Sequence, residues 1–393
     1  MIRFGVDRLI ADPGLLGDAR RVGLVTNDAA RLAADSTRHS RLALLEAGVS
    51  LTRLFGPEHG LAARAADGAA VADGADPLTG LPVVSLYGER LAPELAMLHD
   101  LDVVLFDIPD VGARFYTYTW TLYHMMAACT DALVPLVILD RPNPLGGDLA
   151  FAEGPVLEPA CRSFIGEDAI PIRHQLTNGE LATLWQRERF AGVRLDVFTC
   201  DGWRRQVRWP DLGLPWVPTS PAMPSFESAQ LYAGTCLFEA TNLSVGRGTD
   251  APFQQVGAPW LDTQAVLFDL ARRVPKGVEF SEVTFVPDGG RFAGEECRGV
   301  RIAVTSAAAL RPVALGFLLM AAIATTHRLR FQWARYPTAA NPSGEGHFER
   351  LVGRRGIRRH FDAAPQDIDA DLVRRWTDTG DWAARVEAEL LYG

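Results

Sequence analysis

Along its first 150 residues the chain alternates between two textures. Short, nearly continuous apolar runs, "RVGLVTN" (21–27), "SLTRLFG" (50–56), "LPVVSLYG" (81–88), "LDVVLFD" (101–107) and "LVPLVILD" (133–140), are separated by polar loops and helical patterns. Runs without polar alternation suit strands covered on both faces. "TRHSRLALLEAG", ending on Gly48, and "YTWTLYHMMAACTDA" read as helices between them. Strand alternating with helix predicts an α/β fold with an open, Rossmann-like, mostly parallel sheet over residues 1–155. From residue 156 to 393 the texture changes. Pro and Trp become frequent, and strand-like pieces such as "RLDVFTC" and "GVRIAVT" alternate with helices, which predicts a second, smaller α+β domain contributing to the same cleft. The run "VALGFLLMAAIATT" from Val313 is too short for the roughly 20 residues that cross a bilayer, and predicts a buried helix.

In a parallel sheet, ligands sit beyond the carboxyl ends of the strands. Each apolar run here ends in polar residues at that edge: Asn27 after the first, Glu58-His59 after the second and Tyr87 after the third. Asp107, Asp110, Arg114 and Tyr116 follow the fourth, and Asp140, Arg141 and Asn143 the fifth. Wet loops explain any one of these ends. Together they are a stronger signal, because Gly-Pro, Ile-Pro and Arg-Pro-Asn-Pro turns hold their side chains stiffly. No G-x-G-x-x-G or G-x-x-x-x-G-K-[ST] motif is present in the first strand–helix turn, so a Rossmann-like sheet does not here imply a nucleotide.

The formal charge of −9 argues against nucleic acid and against membrane insertion, and requires local arginines for any acidic ligand. Five cysteines, odd in number and without a C-x-x-C pair, suit buried thiols in a reducing compartment. With no signal-like apolar stretch in "MIRFGVDRLIADPG", the expected location is cytoplasmic. A homodimer stays open.

Three readings of Glu58-His59 compete: a general acid or base, a metal pair, or a structural hydrogen-bonded pair. Adjacent residues of an extended chain point opposite ways, so bringing both to one point needs a special turn. Glu58, Asp107, Asp110 and Asp140, if they converge, offer the paired carboxyls of glycoside hydrolysis. Asp110 and Asp140 serve equally well as helix caps or loop braces. Tyr116 is a candidate ligand contact, whereas Trp120 and Tyr123 have core spacing. The Ala/Gly/Asp-rich "LAARAADGAAVADGADPLTG" (61–80) is a candidate cover for Glu58. In the second half, Arg247 lies between two glycines near Glu239 and Asn242, as either a ligand-binding loop or an interdomain hinge.

Taken in order, "FGPEHG", "LYGE", "DVGARFYTYTWT", "LDRPNPLGG", "SFIG", "LTNGELA", "YAGTCLFEATNLSVGRGTDAPF" and "GAPW" resemble the exo-β-N-acetylmuramidase family typified by NamZ, also called YbbC-like. The resemblance runs from about Val22 to the closing "LLYG". It implies an exo-acting glycosidase, without cofactor or metal, that releases N-acetylmuramic acid from the non-reducing end of peptidoglycan fragments during wall recycling. It also implies that Glu58 is the acid/base, oriented by His59. Asp107 or Asp110 is the expected second carboxylate, and Arg114, Arg141 and Arg247 are the expected partners of the lactyl carboxylate. The alternatives are an amino-sugar sensor on the same fold and a metal-dependent hydrolase. The chain departs from the family pattern at Asp28, Pro109 and Ala222 and in the segment holding Arg64, and the amides lost at Pro109 and Ala222 imply an altered substrate preference or a loss of activity.

Overall fold

All five apolar runs become strands. In the computed structural model, which describes residues 2–273 and 277–393, they lie in β1 (Val22–Thr26), β2 (Leu51–Gly56), β4 (Pro82–Ser85), β5 (Val103–Asp107) and β6 (Leu136–Leu139), with a two-residue β3 (Gly74–Ala75) inserted before β4. A short antiparallel hairpin follows, β7 (Glu153–Val156) with β8 (Pro171–Arg173), and then β9 (Leu195–Phe198). The main sheet has the order β3-β4-β2-β1-β5-β6-β9 and is parallel throughout except at β3. The order reverses between β1 and β5, the topological switch point of such sheets.

The unbroken apolar runs are explained by two cores. Side chains alternate across a strand, so Val104 and Phe106 of β5 enter one apolar cluster while Val103 and Leu105 enter the other. β6 does the same, with Leu136 and Ile138 against Val137 and Leu139. Helices α1 (Gly5–Ala11) and α2 (Ser40–Glu46) cover the second cluster through Val6, Leu9, Ala43 and Leu44. Helices α3 (Tyr118–Ala132) and α4 (Asn178–Glu188) cover the first through Trp120, Met125, Leu181 and Trp185.

The sheet does not stop at the expected boundary after residue 155. β9 pairs with β6 from Leu136↔Leu195 to Leu139↔Phe198, and α4 packs against it. Without "RLDVFTC" the edge of β6 would expose unpaired backbone groups, which is why this piece joins the first unit.

The second unit comprises α5 (Phe226–Thr235), β10 (Gln255–Ala258), α6 (Thr263–Leu270), β11 (Val278–Phe285), β12 (Cys297–Val304), α7 (Pro312–Thr326) and α8 (His347–Val352). Its three strands form an antiparallel sheet of order β10-β12-β11. The long apolar run is α7, buried along nearly its whole length. It crosses α5 backbone to backbone: a Cβ on Gly234 would lie 1.8 Å from the Pro312 carbonyl oxygen, so only glycine permits this approach. Phe238, Val245 and Leu318 share one apolar cluster with Trp120 and Phe106, so the two units have a common core. Among the described residues no helix is long and apolar enough to cross a membrane, and all five cysteines are buried free thiols.

Candidate active site

The turn after β2 solves the problem posed by its sequence. The Gly60 amide donates to the Pro57 carbonyl at 2.9 Å, and His59 takes a left-handed φ of 66°. That conformation is uncommon for a residue with a Cβ and tends to be held where function requires it. It turns Glu58 and His59 into one space instead of to opposite sides. The His59 Nδ1 lies 2.8 Å from the Ala65 carbonyl oxygen. Since a carbonyl only accepts, Nδ1 carries the hydrogen, leaving Nε2 as the free ring nitrogen.

The segment 61–80 folds back over this turn. Gly68 donates its amide to Glu58 Oε1 at 2.9 Å, while its carbonyl accepts from Ala339 of the second unit at 2.8 Å. Glycine is required there twice over, by a φ of 68° and by a Cβ that would lie 2.8 Å from Thr338. Thr117, at the start of α3, donates its hydroxyl to Glu58 Oε2 at 2.6 Å. Both Glu58 oxygens therefore accept a hydrogen bond in a site where the residue is only 6% exposed.

The same cover delivers Asp67. Its carboxylate accepts the Tyr336 hydroxyl and lies 3.2 Å from Arg247 Nη2; Arg247 Nε in turn donates to Glu239 at 2.5 Å. Single donor atoms of Glu58, His59 and Asp67 lie within 4.8 Å of one another. The two acids are driven apart. Burial raises the Glu58 pKa above its ordinary value, and the Asp67 charge adds to this. Burial also works to raise Asp67, but Arg247 and the Tyr336 hydroxyl outweigh it and hold Asp67 low. Asp67 keeps 29% of its side chain accessible to solvent.

Around this pair lies a cleft between the two units, walled by Tyr87, Phe115, Tyr116, Phe164 and Tyr232 on the apolar side and by Arg247, Glu239, Thr338, Asn341, His347 and Arg350 on the polar side. Such a cleft offers aromatic faces to a sugar ring, hydrogen-bonding groups to its hydroxyls, and an acid next to an anion.

Of the residues singled out from the sequence, Glu58, His59, Tyr87, Tyr116, Glu239 and Arg247 line this cleft. The others lie elsewhere, each with a structural role. Asp107 is fully buried and accepts from Arg141 Nε at 2.7 Å, so the two neutralise each other under the sheet edge. Asp110 accepts the Gly112 amide at 2.9 Å and the Thr119 hydroxyl, the loop-bracing role that was its alternative. Asp140 accepts from the Thr177 hydroxyl, the Gly179 amide and the Tyr392 hydroxyl at 2.6–2.9 Å, fixing the start of α4 and the chain's end. Arg114 is completely buried and donates to the carbonyls of Pro155, Ile170, Leu351 and Val352. Burial lowers its pKa to about 9. Asn27 Oδ1 accepts the Ala29 amide, Asn143 bridges Leu176 and Leu145, and Asn242 bridges Arg330 and Gln332. Of the departures from the family pattern, Ala222 lines the cleft; Asp28 pairs with Arg41, Pro109 lines a second cavity, and Arg64 is exposed.

Sequence reasoning missed Asp67, Thr117, Tyr336, His347 and Arg350. Asp67 sits in the segment recognised as a cover, and an acid in a lid beside Glu58 was the available signal. Tyr336, His347 and Arg350 come from "RYPTAANPSGEGHFER", whose Pro, Gly and Asn content marks a shaped loop without revealing where it docks.

The Glu58, His59 and Asp67 cluster has a spacing that a metal ion could use. Its carboxylates are already engaged, however: both Glu58 oxygens accept protein hydrogen bonds, and Asp67 is shared between Arg247 and Tyr336. A cation there would compete with a guanidinium for the same carboxylate, so the donor set does not fit a metal centre.

Comparison with known proteins places the site in context. Two family profiles match the chain, one described as the N-terminal part of the exo-β-N-acetylmuramidase NamZ over residues 22–227 and one as its C-terminal part over residues 230–392. They meet at α5, not near residue 155. The peptidoglycan β-N-acetylmuramidase NamZ of Bacillus subtilis (strain 168) is 38% identical over 359 residues, which span 91% of this chain and 83% of that protein. Two DUF1343 family proteins of Bacteroides fragilis NCTC 9343 have crystal structures that superpose with TM-scores of 0.88 and 0.74, at 30% and 25% identity, each over 100% of this chain and 99% of the other.

Proposed function

Because this chain belongs to the NamZ exo-β-N-acetylmuramidase family, we propose that its cleft hydrolyses the β-glycosidic bond of a terminal N-acetylmuramic acid, with Glu58 as the general acid and Asp67 as its anionic partner. The chain is a glycoside hydrolase acting on peptidoglycan. The observation that carries the residue assignment is the Glu58–Asp67 pair itself: two carboxyls within 4.8 Å, one enclosed by Gly68 and Thr117, the other held by Arg247 and Tyr336. Environments that push two neighbouring acids apart assign their roles.

A protonated Glu58 gives its proton to the leaving oxygen as the glycosidic bond breaks, and the positive charge growing on the sugar ring is met by ionised Asp67. The close spacing favours a retaining course, because an inverting pair stands about 6.5–9.5 Å apart to admit a water. Asp67 then either attacks the anomeric carbon or steadies the substrate's own N-acetyl group as it does so. In the second half-reaction Glu58, now a carboxylate, takes a proton from the incoming water. His59 and Thr117 position Glu58, and Arg247 with Tyr336 keeps Asp67 charged. Tyr116, with Tyr87, Phe164 and Tyr232, forms the surface against which the sugar lies. Five buried thiols suit a reducing, cytoplasmic setting, and so a role in recycling wall fragments taken up by the cell.

The test is release of N-acetylmuramic acid from a chromogenic β-N-acetylmuraminide. Glu58→Gln lowers kcat by about 10²–10⁴-fold, the range for loss of a general acid, while free N-acetylmuramic acid still binds. Undiminished turnover in the variant sinks the assignment; binding without any turnover in the wild type sinks the enzymatic reading.

A further inference from the structure

N-acetylmuramic acid differs from N-acetylglucosamine by a lactyl ether that ends in a carboxylate. On the reading above, that carboxylate must enter a cleft that already holds ionised Asp67, and like charges in a partly desolvated site repel strongly. A cation with no other commitment is therefore required. Two guanidinium groups line the cleft. Arg247 lies between Glu239 at 2.5 Å and Asp67 at 3.2 Å, one positive charge facing two acids. Arg350 forms no ion pair and no side-chain hydrogen bond among the described residues; its recorded bond is the helical one from its amide to the Gly346 carbonyl. The expected carboxylate partners Arg114 and Arg141 do not reach the cleft, being tied to four carbonyls and to Asp107 respectively.

We propose that Arg350 is the residue that reads the lactyl carboxylate and so selects muramic acid over glucosamine. Its placement is fixed in advance. Arg114 donates to the carbonyls of Leu351 and Val352 at the carboxyl end of α8, both at 2.8 Å. Gly353, with a φ of 77°, leaves room for that guanidinium, which a Cβ would meet at 2.4 Å. At the other end of α8, the His347 ring stacks on Tyr336 at 4.7 Å, and Tyr336 donates to Asp67. Arg350 thus projects from a helix tied both to the core and, through Tyr336, to Asp67. His347 adds no competing charge, since burial lowers its pKa to about 4. A half-buried guanidinium suits the task because its planar fork gives a carboxylate two parallel hydrogen bonds.

The experiment compares wild type, Arg350→Ala, Arg350→Lys and Arg291→Ala on three ligands, N-acetylmuramic acid, its lactyl methyl ester and N-acetylglucosamine, by calorimetric Kd, together with kcat/KM on the muraminide. Arg350→Ala is expected to weaken binding of the free acid by about 10- to 100-fold, the range for a charge-assisted hydrogen bond, and to leave the ester and N-acetylglucosamine unchanged. Arg350→Lys recovers part of the loss, and kcat/KM falls in step with Kd. An equal loss on acid and ester makes Arg350 a packing residue and overturns the proposal. So does a selective loss at Arg291→Ala, whose side chain is near Glu239 and Tyr336 but does not line the cleft. Failure of the wild type to cleave any muraminide would refute the muramidase assignment, and the three-ligand binding comparison would still decide Arg350.

Discussion

The carboxyl edge of the main sheet has two halves with the same sequence character and opposite fates. Beyond β1, β5 and β6, Asn27, Asp107, Asp140, Arg141 and Asn143 are locked into an ion pair, caps and loop braces. Beyond β2 and β4, Glu58, His59 and Tyr87 open into the cleft. Charge matching separates Asp107 in the first half from Glu58 in the second. Asp107 has Arg141 beside it, so the pair is neutral and closed. Glu58 is buried with a like charge, Asp67, beside it, and first burial and then that charge make a proton on Glu58 favourable. Neutralised strand ends hold the fold together, and frustrated ones are available for chemistry.

The sharpest way to break this contrast is to remove the frustration. Asp67→Asn is expected to cut kcat on the muraminide by about 10²-fold or more, the scale of losing one preorganised electrostatic partner. It also changes the pH profile. In the wild type, activity is expected to fall at low pH as Asp67 takes a proton, below the ordinary aspartate range, and at high pH as Glu58 loses one, above the ordinary glutamate range. The variant has no Asp67 limb, and loss of that charge moves the Glu58 limb to lower pH; an unshifted alkaline limb would show that Asp67 does not act on Glu58. A pH–rate profile of both proteins decides this.

On the matched half the effect should fall on stability instead. Asp107→Asn leaves the Arg141 guanidinium buried without its counter-charge, at a cost of about 3–5 kcal/mol for a broken buried pair. Denaturant unfolding would show the loss, while kcat of the folded protein stays near wild type. A large fall in kcat with unchanged stability would place Asp107 in the site after all. The smallest expected effect is that of chelation. Because the Glu58 and Asp67 carboxylates are engaged by protein hydrogen bonds and Arg247, dialysis against a chelator should leave turnover unchanged, and restoration by a divalent ion would revive the metal reading.

The sequence alone determined the architecture of the first unit. Five apolar runs, each stopped by a polar turn, read as strands and became strands, and "YTWTLYHMMAACTDA" is α3 to the residue. It also determined that Glu58 and His59 sit in a stiff turn, since Gly-Pro and Gly flank them, and that α7 is buried, since nothing in it is polar enough to face water. Only the tertiary structure decided which rim charges are matched, because pairing depends on distances between segments far apart in the chain. Asp107 meets Arg141 across 34 positions. Asp67 meets Arg247 across 180 positions, and the Tyr336 that binds it lies 269 positions away. A residue's type and its neighbours state that a charge exists. Whether that charge braces the fold or acts on a substrate depends on which groups surround it, and the packing of the two units supplies those groups.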